Sequence, residues 1–175
     1  EAGSIAPGSE GVFFLPYLQG ERVPDLPRAT GSILGLRPGL LGRGILFRAA
    51  LEGTSLNLAW GLDRLRALGV SVRSLRLAGG AARNPLWCQI LADVLDAPLS
   101  VLVETESAAL GAAIQALWTR MRLKGYQRSV HEIAAPFIRL EKTGFVPDPD
   151  RVLRYRQLGA EFRELVERVY GLPGH

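Results

Sequence analysis

The sequence predicts an α/β fold, and three observations carry that prediction. Two short apolar runs, Ser74–Ala78 and Pro98–Val103, read as strands. Each is followed by a segment with apolar residues at helical spacing. Strand, helix, strand and helix therefore alternate, which implies parallel strands joined by a right-handed crossover. The 175 residues are 47% hydrophobic and 22% charged, enough apolar material for one core.

The elements follow in order. Gly11–Leu18 is apolar and interrupted by Pro16, which suits a short extended segment along a core edge. From Gly20 to Gly42 the chain is dense in glycine and proline and reads as one long structured loop. A long helix is predicted from about Arg43 to Leu68, with Phe47, Leu51, Leu58, Leu62 and Leu65 at helical spacing. Gly53 and Gly61 lie inside it, each costing about 1 kcal/mol in propensity, which predicts that another backbone approaches there. Gly69 stands where a glycine ends a helix.

Asn84-Pro85 supplies an N-cap and a first-position proline for the next helix, whose Leu86, Ile90, Leu91, Val94 and Leu95 share a face. The run Pro98–Val103 is almost wholly apolar and is predicted to be buried on both faces. A further helix spans about Glu106–Leu123, with Leu110, Ile114, Leu117 and Met121 in register. Ser129 and Glu132 form a capping-box pattern before a short helix that Pro136 ends. Asp148-Pro149 opens the last helix, with Tyr155, Phe162, Leu165 and Val169 on its apolar face. Internal repeats and low-complexity tracts are absent.

Several function classes are set aside at this point. Every apolar run falls short of the roughly 18 residues of a membrane helix, so no membrane partner is expected. Glu1–Glu10 lacks the features of a signal peptide, and the absence of an initiator methionine points to processing or to a fragment. Cys88 is the only cysteine, so an internal disulfide and a cysteine zinc site are excluded and a cytoplasmic address is expected. His131 and His175 are too few and too far apart to predict another metal site. The net charge is +4, carried by arginines apart from Lys124 and Lys142. These arginines interleave with acids, as in Arg151–Arg168, and form no stripe with aromatics. A solvated basic surface is favoured over a nucleic-acid partner.

The feature that points to chemistry is Leu77–Pro85, which puts Gly79 and Gly80 between a strand end and a helix start. Ligands of open α/β sheets bind at that place. Glycines admit a ligand close to the backbone, and the free N–H groups of a first helical turn suit a polar or anionic group. The pattern is neither a dinucleotide fingerprint nor a Walker loop. On the local residues alone, a tight structural turn and a ligand loop stay equally open.

Five blocks in order then resemble the FGGY family of sugar kinases. Phe14-Leu-Pro-Tyr-Leu18 with Gly20-Glu-Arg-Val-Pro24 is similar to its F-L-P-Y-L-x-G-E-R-T-P segment. Arg48–Gly53 resembles R-A-x-L-E-G, and Gly79–Arg83 with Trp87 and Gln89–Asp93 resembles G-G-G-A-R-x-x-x-W-x-Q-I-L-A-D. Ala109–Ala113 matches A-L-G-A-A, and Val146–Pro149 resembles the P-D-P before the family's last helix. Three positions depart from the pattern: Val23 replaces threonine, Ala81 replaces the third glycine, and Ala29-Thr30-Gly31 stands for A-R-G.

The resemblance implies the helix-rich part of a ribonuclease-H/actin-like ATPase lobe with a short parallel strand pair. Residues 1–42 would enter that lobe, 43–124 would form its nucleotide-side core, and 125–175 a C-terminal helical extension. It implies ATP with Mg2+ as cofactor in the complete enzyme, and Gly79, Gly80, Ala81 and Asn84 as the nucleotide-binding residues. Asn84 is expected chiefly as a cap, with an adenine contact as a second role. For Glu21 and Arg22 a structural ion pair or loop-internal hydrogen bonding is expected rather than a sugar contact. Trp87 and Trp118 are expected to serve the core, and Gly111 to permit close packing, with a hinge-side role as the alternative.

The family's catalytic aspartate and phosphate loops belong to parts of the kinase not represented here, so no catalytic residue and no metal ligand is assigned. The chain is then expected to be inactive alone. It would pair with the missing N-terminal lobe, or self-associate through an open edge on the Leu75 and Leu99 strands. The segments Phe14–Leu18 and Gly20–Arg22 are most similar to the xylulose-kinase subgroup, which implies a ketose, D-xylulose, as the sugar. A non-catalytic binding or assembly module is the alternative.

Overall fold

A computed structural model describes residues 1–104 and 106–171; His175 lies outside them. After two short 3-10 turns, β1 (Phe13–Leu15) pairs antiparallel with β2 (Ser32–Leu34), Phe14 opposite Ile33. The long loop thus carries a strand that its glycine and proline content hides. Helix α1 (Arg43–Ala67) follows, then β3 (Leu75–Leu77), α2 (Pro85–Leu95) and β4 (Leu99–Leu102). After these come α3 (Ser107–Leu123), α4 (Val130–Ala134), β5 (Leu140–Phe145) and α5 (Pro149–Tyr170).

Strands β3 and β4 are parallel, as the alternation predicts, with Leu75 opposite Leu99. The segment expected to be purely helical nevertheless contains β5, which pairs antiparallel with β4 in the order β3-β4-β5. Glu141, Lys142 and Thr143 are exposed, so β5 carries no apolar alternation to betray it. Its pairing closes the edge of the Leu99 strand that was expected to be open; the outer edge of β3 has no partner strand among the described residues.

Two apolar clusters hold the fold. The larger is built by α1, α2, α5 and the β1 region, through Leu15, Tyr17, Leu56, Trp60, Ile90, Leu158 and Phe162. The second lies between α2 and the sheet and contains Cys88, Leu91, Leu95, Leu99 and Val101. Only alternate residues of β4 are buried: Leu99 and Val101 face α2, whereas Ser100 and Leu102 are half-buried. The expectation of burial on both faces is therefore corrected. Trp87 and Val94 pack against both clusters.

The buried face of α1 also differs from the leucine spacing. Arg48, Ala49, Leu51, Glu52, Gly53, Ser55, Leu56 and Trp60 are buried. Phe47, Leu58 and Leu65 are about half exposed, at 52, 51 and 47%. Helix α1 has two apolar sides, and the leucine repeat belongs partly to the one that the described residues leave half exposed. Gly53 lies on the buried side: a Cβ there would stand 1.9 Å from the Phe14 carbonyl oxygen. The close approach predicted for Gly53 is present; Gly61 and Gly111 have no neighbour within 4 Å of such a Cβ.

Candidate functional site

The glycine turn begins where β3 ends. Gly79 has φ 84° and ψ −166°, a region that only glycine enters without strain. Gly80–Arg83 then form one 3-10 turn, and Asn84 caps α2. An added Cβ at Gly79 or Gly80 would meet nothing within 4 Å, so both backbones are open to an approaching ligand. Ala81 sits inside the 3-10 turn and is not among the positive-φ residues, so alanine in place of the third glycine is accommodated.

The side chain of Asn84 accepts from Trp87 N at 3.3 Å, as an N-cap should. This uses its oxygen and leaves the amide NH2 without a partner among the described residues. The anion-binding expectation for the first turn of α2 is weakened by the same geometry. Pro85 has no N–H, Trp87 N is held by the cap, and Cys88 N donates to the Asn84 carbonyl at 3.0 Å. Among the described residues Leu86 alone retains a first-turn donor. The turn therefore fits neutral polar groups, such as a base and ribose, better than phosphates.

The four residues expected to bind the nucleotide are thus brought together in one turn. A cavity of about 270 Å³ opens beside them, lined by Ala82 and Arg83, by Val101–Val103 at the end of β4, and by Glu141, Thr143 and Phe145 of β5. A cavity of about 300 Å³ lies elsewhere, between the β1–β2 hairpin and α5, and includes none of the predicted residues. Among the described residues no group of three or more His, Cys, Asp or Glu is placed to hold a metal ion, and no helix is long and apolar enough to cross a membrane. Among the described residues the turn presents polar backbone groups and the Asn84 amide, and no cluster of carboxylates is placed there to hold a metal ion.

The other singled-out residues have structural partners. Glu21 accepts from Arg22 N at 2.7 Å and from Asn57 Nδ2 at 2.9 Å, and Asn57 in turn accepts from Tyr17 OH at 3.0 Å. The bond to Arg22 N is the loop-internal hydrogen bonding that was expected, and the bond from Asn57 fastens the loop to α1, which was not. Trp118 is half-buried rather than in the core, and its indole N–H donates to Arg128 O at 3.2 Å. In Trp87 the indole N–H donates to Ser55 Oγ at 3.0 Å.

Sequence reasoning missed the buried polar groups of α1 and α2. Glu52 accepts from Arg48 Nε and Ser9 Oγ at 2.8 Å, from Tyr155 OH at 2.8 Å, and from Gly8 N at 3.1 Å. Burial works against the Arg48 charge, but Tyr155 and Glu52 beside it prevail and raise its pKa. Asp93, also buried, accepts from Gln89 Nε2 at 2.8 Å and Asp148 N at 2.9 Å. The available signal was an Arg–Glu pair four apart flanking Leu51 on an apolar face.

The chain matches the C-terminal domain of the FGGY family of carbohydrate kinases over residues 1–120. It belongs to that family. The xylulose kinase of Haemophilus influenzae is 44% identical over 111 residues, which cover 63% of this chain and 22% of the relative. The xylulose kinase of Escherichia coli is 34% identical over 165 residues, 94% of this chain and 33% of the relative. The solved structure of a ligand-bound xylulose kinase from Lactobacillus acidophilus superposes with a TM-score of 0.82 at 27% identity, covering 97% of this chain and 34% of that one. The described architecture is thus that of sugar kinases with the actin-like ATPase fold. The chain spans about a fifth to a third of the length of the relatives it matches.

Proposed function

We propose that this chain is the nucleotide-binding part of an ATP-dependent sugar kinase that phosphorylates a ketose, D-xylulose, to D-xylulose 5-phosphate. The observation that carries the reading is the open Gly79–Asn84 turn at the carboxyl end of β3, in a chain of this family. Gly79, Gly80 and Ala81 would lie against the adenosine, and Asn84 would offer its NH2 to an acceptor on it. ATP supplies the phosphoryl group when bound, and Mg2+ would be held by the phosphates and by the rest of the kinase.

Catalysis of phosphoryl transfer is mainly positioning and charge stabilisation around the phosphates. This chain presents a turn suited to the uncharged end of the nucleotide and no carboxylate set near it. We assign it no catalytic residue and expect it to be inactive by itself. Its partner is the N-terminal lobe of the same kinase, which would bring the sugar site. The lone cysteine, buried and reduced, fits a cytoplasmic setting.

The experiment is sugar-dependent ADP release with ATP and D-xylulose, for the chain alone and mixed with the N-terminal part. Activity only in the mixture supports the reading; activity in the chain alone, or in neither, contradicts it. Asn84→Asp separates the two roles of that residue. Aspartate keeps the capping oxygen and lacks the NH2, so melting should hold while nucleotide affinity falls about tenfold, the order of one lost hydrogen bond to a ligand. Unchanged affinity in this variant would leave Asn84 as a cap alone.

A further inference from the structure

The orientation of Asn84 is set by a residue that the proposed nucleotide contact does not itself involve. Trp87 N–H can only donate, so the Asn84 amide oxygen must face it and the NH2 must face away. The indole of the same residue reaches the other way, donating to Ser55 Oγ on α1 at 3.0 Å. Ser55 is fully buried, and its hydroxyl donates on to Leu51 O at 2.8 Å. One residue thus connects the cap above it to the interior of α1 below.

Helix α2 has two polar ties to α1 among the described residues. At its far end Arg66 donates to Leu95 O at 2.7 Å; at its first turn the tie is Trp87 to Ser55. Ahead of α5 the helix is also tied beyond its first turn, by Gln89 to Val146 O at 2.9 Å and by Asp148 N to Asp93 at 2.9 Å. Without the Trp87–Ser55 bond the first turn is therefore the part left to shift, and the glycine turn moves with it. Apolar packing on both sides of the indole does not fix that shift, because dispersion contacts are non-directional and a hydrogen bond is not.

We propose that Trp87, braced by Ser55, is a positioning residue for nucleotide binding. It holds the Asn84 NH2 and the Gly79–Arg83 backbone in the arrangement that receives the base and ribose. This rests on the nucleotide reading above and adds a residue to it that touches no ligand.

The test uses the full-length protein that carries this sequence, with Trp87→Phe, Ser55→Ala and the double variant. Phenylalanine keeps an aromatic ring but removes the donor together with part of the indole's volume, whereas Ser55→Ala removes the same bond and leaves the indole whole. The ADP dissociation constant by calorimetry and KM for ATP should both rise about three- to tenfold, the span of one net hydrogen bond. kcat and KM for D-xylulose should stay within about twofold, since the tie acts on nucleotide placement alone. The double variant should match Trp87→Phe, because both changes remove the same bond.

An unchanged ADP affinity in Trp87→Phe, whatever its melting temperature, overturns the proposal and leaves Trp87 as a packing residue. Should that variant fail to fold, Ser55→Ala carries the same two outcomes. A wild-type protein that neither binds ADP nor phosphorylates a sugar removes the nucleotide reading itself. That result is distinct from an active wild type whose variants bind ADP equally well.

Discussion

At the residue scale, the most consequential side chain is Glu52. Its carboxylate collects donors from the N-terminal turn, from α1 and from α5, and its ion-pair partner Arg48 is buried with it. Removing one member of a buried pair leaves the other charge uncompensated. Glu52→Ala should therefore lower stability by about 3–5 kcal/mol, measured by urea unfolding; a loss below about 1 kcal/mol contradicts this. Burial, then the Glu52 charge, raise the Tyr155 phenol above its ordinary pKa; burial, then Glu21, do the same for Tyr17. A raised folded-state value means that stability is complete below the ordinary tyrosine pKa of about 10 and is lost as pH climbs above it. Melting temperature should hold from neutral pH to about 9.5 and fall steeply beyond about 10. The two glycines of α1 give a further contrast. Gly53→Ala must displace the Phe14 carbonyl and should destabilise by about 2–4 kcal/mol, whereas Gly61→Ala has room and should stabilise by about 0.5–1 kcal/mol.

At the element scale, α5 is integral to the fold although it lies beyond the family match at residues 1–120. Val152, Tyr155, Leu158, Phe162 and Val166 are buried along one face. Its start is capped by Asp148, which accepts from Asp150 N and Arg151 N, and is fixed to α2 by Asp93. Removing residues 149–171 should abolish cooperative unfolding by calorimetry, because the larger apolar cluster loses a wall. Phe162→Ala should cost about 3–5 kcal/mol. The leucine spacing of α1 and the valine and leucine spacing of α5 were only half informative in sequence. Phe47, Leu58 and Leu65 on α1 and Val169 on α5 are exposed here, whereas polar Arg48, Glu52 and Ser55 lie inside. Periodicity reports which residues are apolar; it does not report which of two faces this chain covers.

At the scale of the whole molecule, the exposed stripe of α1 and the unpaired edge of β3 are the same kind of feature. Helix α3 adds to them: none of its residues is buried, and it packs chiefly on α4. Unpaired strand edges and apolar faces seek partners. In isolation the chain should therefore associate, with a light-scattering mass that rises with concentration. On the proposed function, the N-terminal lobe of the kinase should suppress that rise. A monomer with a single cooperative melt, at all concentrations, contradicts this expectation.

The sequence by itself determined the α/β class, the parallel β3–β4 pair, the bounds of α1 to within a residue, the starts of α2 and α5, the caps at Asn84, Ser129 and Asp148, and the position of the glycine turn. These are local properties, set by spacing, capping chemistry and glycine φ within a dozen residues. Tertiary structure alone decided the β2 and β5 pairings, the enclosure of Arg48 with Glu52 and Tyr155, and the Trp87–Ser55 tie. Each of those brings in a residue between about twenty and one hundred positions away, where partner choice depends on which surfaces the fold brings together. The same reason governs Asn84: its cap is legible in two letters, but the direction of its free amide is fixed only by Trp87 and by the helix on which Trp87 rests.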